Sequence, residues 1–147
     1  MKASSLSLIQ LPTAVPIWKR FFTVAPLVLV GTREPNRSYH IAPKHMAMPL
    51  GWEDHYSFAC TDRHATYANV RATGEFTVSF PLPDGVVTSS LAASGRAEGG
   101  DKPNLAALTT FPASVVDGVF VEGCYLYLEC ALDRIVEVAD RSGRIPG

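Results

Sequence analysis

Three short stretches of the chain carry side chains able to do chemistry. The first reads His40-Ile41-Ala42-Pro43-Lys44-His45-Met46-Ala47-Met48-Pro49. Its lysine can hold a phosphate as a cation, and its imidazoles can add hydrogen-bond donors. Along a strand, His40 and Lys44 point one way and His45 the other, unless Pro43 bends the chain. A solvated strand end is the commoner use of such residues, so on residue types alone the phosphate reading ranks second.

The second stretch is Thr61-Asp62-Arg63-His64-Ala65-Thr66-Tyr67-Ala68-Asn69. If a helix begins near His64, Thr66 and Asn69 stand three apart on one face. Free N–H groups and the macrodipole at such a helix start favour an anion. Ordinary capping by Asp62 or Thr66 is the competing use. The third stretch, Ser94-Gly95-Arg96-Ala97-Glu98-Gly99-Gly100-Asp101-Lys102, is rich in glycine. It lacks the GK[ST] ending of a phosphate loop and follows no apolar strand, so it is not a nucleotide P-loop. It reads as a mobile surface loop able to cover a ligand. His40, His45, His55 and His64 show neither HxxxH nor HExxH spacing, and no metal site is expected. The absence of a GxSxG elbow gives no support to a serine hydrolase.

These residues need elements to position them. Pro26-Leu27-Val28-Leu29-Val30-Gly31-Thr32 is a continuous apolar run that suits a buried strand. Pro35 and Asn36 mark a turn, and residues 39–42 resume an extended run. Residues 55–61 alternate as a further strand. Residues 66–73 form about two helical turns closed by Gly74. Glu75 to Phe80 alternates cleanly, with Phe76, Val78 and Phe80 on one face and Glu75, Thr77 and Ser79 on the other. Asp84 is placed as the cap of a short helix running through Ala93 and ended by Gly95. Asp101 and Pro103 open another near Asn104 to Leu108. The last long element is placed at residues 123–138, where Cys124 to Asp133 alternate as a half-buried strand. Strands outnumbering short helices predict a mainly β fold, a barrel with helical decorations.

The chain has 147 residues, enough for one domain with a substantial core. A 47% apolar and 18% charged composition argues against disorder. Thirteen basic and 14 acidic residues leave a net charge of −1, so no nucleic-acid or membrane partner is expected. The apolar run near the start is far shorter than a membrane span, and Pro12 and Pro16 interrupt the N-terminal segment. A cytoplasmic location is the default expectation. Cys124 and Cys130 lie six residues apart in one predicted strand, too far to pair with each other, and all three cysteines read as buried free thiols.

The order of these motifs resembles the flavin reductase-like family. Val30-Gly31-Thr32 is followed by Ile41-Ala42-Pro43-Lys44-His45, Tyr56-Ser57-Phe58-Ala59-Cys60-Thr61, Thr66-Tyr67-Ala68-Asn69 and Gly74-Glu75-Phe76. Glu122-Gly123-Cys124-Tyr125-Leu126-Tyr127-Leu128-Glu129-Cys130 matches a late strand, so the likeness spans roughly residues 24–138. The resemblance implies an FMN-binding split β-barrel that dimerises. FMN is favoured over FAD, and NAD(P)H is the expected reductant. The family motif Asn-x-Ala-Pro-x-Ser keeps Ala42 and Pro43, while His40 and His45 replace its Asn and Ser. By resemblance, Thr66 and Asn69 lie near the FMN phosphate and ribityl chain. Thr61 then faces the isoalloxazine, and Lys44 and His45 become phosphate ligands. Family members continue into a strand often reading Ile-Gly-x-Val, which is not seen here, and a partner copy is one way to cover the resulting edge. The implied activity is a flavin-dependent oxidoreductase in which the flavin carries the redox step. A non-enzymatic flavin carrier and a cofactor-free homologue are the alternatives.

Overall fold

The computed structural model describes residues 26–98, 100 and 102–139. In chain order it places β1 (Val28–Arg33), β2 (Tyr39–Lys44), β3 (Ala47–Pro49), β4 (Tyr56–Phe58), α1 (Ala65–Thr73) and β5 (Glu75–Pro81). Then follow α2 (Val86–Leu91), β6 (Thr110–Pro112), β7 (Val119–Val121) and β8 (Cys124–Ala131). Short 3-10 turns at Pro83–Gly85 and Pro103–Ala107 stand beside α2.

An antiparallel sheet in the order β2-β1-β5-β8 is the frame, joined by the hairpin-like pairs β3-β4 and β6-β7. The apolar run of residues 28–30 is central in this sheet and fully buried, as its composition requires. Two cores result. Val28, Val30, Val70, Phe76, Val78 and Phe80 pack on one face, against Tyr56 and Phe58. Leu29, Ile41, Ala92, Leu108, Val119 and Val121 pack on the other. Each fully buried Val or Leu stabilises by roughly 1.5–3 kcal/mol relative to exposure.

Several sequence expectations are corrected. Pro43 does not bend the chain, and β2 continues through it to Lys44. The reason is geometric: β2 is an edge strand, and the Ile41 carbonyl faces outward, where Lys102 Nζ donates to it at 3.5 Å. Residues two apart share that direction, so the N–H that Pro43 lacks would also have faced away from β1. The face of β5 that carries Thr77 and Ser79 is buried as well, at 0% and 1% exposure, because β7 covers them. Thr77 Oγ1 donates to the Val119 carbonyl at 2.6 Å, and the Val121 N–H donates to Ser79 Oγ at 3.1 Å.

The long last strand stops at Ala131, and residues 132–139 are irregular. The strand expected over 55–61 shrinks to Tyr56–Phe58. Asp84 lies within a 3-10 turn and caps nothing with its side chain, and α2 stops at Leu91. Asp101 lies outside the described residues, and a 3-10 turn replaces the helix placed after it. Helix α1 appears as expected, with Gly74 left-handed at φ 72° and its N–H bonded to the Val70 carbonyl. Cys124 and Cys130 share β8, and all three cysteines are free thiols, half-buried rather than buried.

Candidate functional site

The antiparallel register sets Thr32 opposite His40, Val30 opposite Ala42 and Val28 opposite Lys44. Those six side chains share one face of the β1–β2 ladder. Helix α1 packs against both strands, bringing Thr66 and Asn69 into the structure's interior. Thr32, His40, Lys44, Thr66 and Asn69 are all buried, a density of polar groups well above what a core normally tolerates without partners.

Among the seven residues expected at the site, Ala42, Lys44, Thr66 and Asn69 are buried and Pro43 is half-buried. His45 and Thr61 are exposed. The solvated strand end therefore describes His45 and fails for His40 and Lys44. The Lys44 ammonium contacts Cys60 Sγ at 3.4 Å, and no carboxylate bonds it among the described residues. Cys60 Sγ also lies 3.7 Å from His64 Nδ1. Asn69 Nδ2 donates to Thr32 Oγ1 at 3.0 Å, so this amide ties α1 to β1.

The start of α1 is open. His64 occupies the cap position in an extended conformation, with no side-chain hydrogen bond, so neither Asp62 nor Thr66 caps the helix. The amides of Ala65 and Thr66, in the first turn, have no acceptor within the helix. The Thr66 hydroxyl is fully buried and finds no hydrogen-bond partner among the described residues.

Further along the same face, Glu34 and Arg96 form an ion pair, and Arg96 donates to His40 Nδ1 at 3.3 Å. Burial, reinforced by the charges of Lys102 and Arg96, pushes the His40 pKa down to about 4. The ring is therefore neutral near pH 7, and its 3.8 Å approach to Glu34 is a polar contact rather than an ion pair. Burial alone would raise the Glu34 pKa, but hydrogen bonding and charge from Arg96, with help from His40 and Asn69, bring it below the usual range.

Lys102 Nζ donates to the Ala92 carbonyl at 2.6 Å as well as to Ile41. The loop read as a mobile cover thus has two side chains anchored on the β2 edge. Arg96 and Lys102 lie in the loop read as a ligand cover, whereas Thr32, Glu34 and Cys60 are not legible as site residues. Their partners lie far away in sequence, as with Arg96 and His40, 56 residues apart. Among the described residues no group of three or more His, Cys, Asp or Glu could hold a metal ion. None of their helices is long and apolar enough to cross a membrane.

Comparison with known proteins agrees with this architecture. The flavin reductase like domain matches residues 20–142. An uncharacterized protein of Methanothermobacter thermautotrophicus is 30% identical over 113 residues, covering 76% of this chain and 53% of that protein. The chain therefore spans about half the length of that curated relative. Flavoredoxin of Desulfovibrio vulgaris superposes with a TM-score of 0.71 at 19% identity, over 94% of this chain and 83% of its own. Nitrilotriacetate monooxygenase component B from Bacillus cereus gives 0.77 at 17% identity, over 96% and 76%. An FMN-binding domain of flavin reductases-like enzyme from Shewanella baltica gives 0.64 at 19% identity, over 73% and 56%. With its split-barrel fold and a domain match over most of its length, the chain belongs to the flavin reductase-like family.

Proposed function

We propose that the chain binds FMN on the buried polar face of β1, β2 and α1 and works as an NAD(P)H-dependent, flavin-using oxidoreductase. The observation that carries this reading is the Thr66 hydroxyl, fully buried and without a partner among the described residues, at an uncapped helix start. A buried polar atom left unmatched costs about 1–3 kcal/mol, a cost that a ligand oxygen relieves. Lys44 supports the same reading. Its ammonium sits on a buried edge with a sulfur as its bonding partner, which leaves capacity for an anion. The residues present therefore fit a phosphate-bearing cofactor.

In this reading Lys44 neutralises the phosphate, while the Thr66 hydroxyl and the first-turn amides of α1 donate to it. Asn69 acts from behind, holding α1 on Thr32. His45 and Thr61, both exposed, stand at the rim, where a ring system can be reached from solvent. Bound flavin supplies hydride and electron transfer, and the protein supplies binding, orientation and exclusion of water.

A second copy is the proposed partner. Strand β8 is a sheet edge with Tyr125 and Leu126 exposed, and Met48, Leu50 and Trp52 are also exposed. Apolar surface beside a strand edge is a liability that association removes.

The test is the visible absorption of desalted protein after incubation with FMN. Wild type is expected to retain the flavin band, with Thr66→Val and Lys44→Met each weakening binding at least tenfold. Folded but colourless wild-type protein would sink the reading. A retained band without NAD(P)H oxidation would leave a flavin carrier in place of a reductase.

A further inference from the structure

Cys60 stands between β4 and the start of α1, and its sulfur is flanked by side chains from two other elements. Lys44, at the end of β2, brings its ammonium to 3.4 Å from Sγ. His64, at the cap position of α1, brings Nδ1 to 3.7 Å. Within its own loop the thiol meets the Thr61 carbonyl, at 3.5 Å. Lys44 is only 7% exposed and bonds no carboxylate among the described residues. A buried cation in that state is compensated best by negative charge formed on, or arriving beside, the group it faces. Solvent reaches the sulfur's surroundings: Cys60 is half-buried, and Ala59, Thr61, Asp62, Arg63 and His64 are exposed.

The other two thiols lack this setting. Cys130 packs against the core cluster that includes Phe76 and Val78, and burial pushes its pKa up to about 11. Cys124 packs against the cluster that includes Leu29 and Val121, and burial raises its pKa as well. At neither sulfur does a neighbouring cation oppose the effect of burial. The thiolate is the nucleophile in sulfur chemistry, so thiols held neutral in this way are inert.

We propose that Cys60 is a modification site that captures a low-molecular-weight disulfide by thiol–disulfide exchange. His64 Nδ1 takes the thiol proton, and the Lys44 ammonium faces the thiolate that remains. This sulfur attacks one sulfur of the incoming R–S–S–R. The Cys60–S–S–R bond forms as the original S–S bond breaks, and R–S⁻ departs with the electron pair and recovers the proton from His64. Cys60 is thereby oxidised, and the departing half of the disulfide is reduced to R–SH. The exchange rests on these three side chains alone. Its consequence rests on the flavin reading above: Lys44 is the cation assigned there to phosphate, so an adduct on Cys60 crowds that position and excludes FMN.

The test treats the full chain with glutathione disulfide and reads intact mass, with peptide mapping to locate the adduct. One glutathionyl group on Cys60 is expected, and dithiothreitol should remove it. Cys60 in the folded chain should react about tenfold faster than the same cysteine in urea-unfolded protein. Lys44→Met and His64→Gln should each lose most of that advantage and Lys44→Arg should keep it, with thermal melts showing each variant folded. The inference is overturned by no adduct, by one confined to Cys124 or Cys130, by a folded-state rate no faster than the unfolded one, or by undiminished rates in both folded variants. A second arm adds FMN before the disulfide. Protection of Cys60, with matching loss of the flavin band after thiolation, supports both readings. Rapid thiolation indifferent to FMN supports the modification site and defeats the placement of the flavin phosphate at Lys44, so the two fail separately.

Discussion

Asn69 Nδ2 donates to Thr32 Oγ1 at 3.0 Å, joining helix α1 to the end of β1 across the buried face that carries Lys44 and Thr66. The bond fixes where the open start of α1 lies relative to β2. Thr32 is 1% exposed and Asn69 5%, so neither group can turn to water if the other is lost.

Asn69→Ala and Thr32→Val should therefore each destabilise the fold by about 1–3 kcal/mol, the cost of orphaning a buried polar partner. The double variant should cost clearly less than the sum of the two, because no orphan remains. Urea unfolding of all four proteins provides the cycle. Strict additivity would show that the bond contributes nothing of its own.

Gly31 must remain without a side chain. A Cβ there would meet Thr77 Oγ1, and it would approach the Val119 carbonyl oxygen to 2.7 Å. The second contact is backbone and belongs to β7, which covers the sheet at this point. Gly31→Ala is expected to cost about 1–3 kcal/mol or more, in the manner of an overpacked core. Adding Thr77→Ala should recover only part of the loss, since the carbonyl clash persists. Full recovery of the melting temperature in the double variant would contradict this account.

How far these relationships are legible in the sequence depends on the range of the interaction. The alternation from Glu75 to Phe80 announces β5, and Gly74 announces the end of α1, because both signals are local. Strands β6 and β7 have three residues each, too short for any period to emerge. With β7 unannounced, the alternation of β5 carries no sign that Thr77 and Ser79 are covered. The same alternation puts His40 and Lys44 on one face. Their burial depends on Arg96 and Lys102 closing over the edge of β2, which no spacing rule encodes. Beyond Asp133 the alternation lapses, with Asp133-Arg134 and Ile135-Val136 side by side, and residues 132–139 form no strand.

Glu129 on β8 gathers the turn between β6 and β7. Its carboxylate accepts from the N–H groups of Val116 at 2.9 Å, Val115 at 2.6 Å and Ser114 at 3.2 Å. Those backbone donors hold its pKa down to about 2. A carboxyl with a depressed native pKa stabilises above its ordinary value of 4.5, and that contribution fades as pH falls toward 2. Glu129→Gln should increase amide hydrogen exchange at Val115 and Val116 at neutral pH while leaving α1 protected. Equal protection in both proteins would mean that the turn is held by other contacts.

His40 supplies the opposite test of charge, through a group kept neutral. Its native pKa is near 4, against 6.5 for the free side chain, chiefly because of burial and then the cations Lys102, Arg96 and Lys44, with Glu34 opposing. The unfolded chain therefore binds a proton that the folded chain refuses between those two values. Stability is complete above pH 6.5 and falls as pH drops toward 4, with a maximum loss on the order of 3 kcal/mol. His40→Asn places a neutral side chain at the same position opposite Thr32. This variant should show a flatter stability profile between pH 6.5 and 4, whatever its absolute stability. Chemical denaturation at half-unit pH steps gives both slopes. Parallel profiles for wild type and variant would mean that His40 is not the group whose protonation the folded state resists.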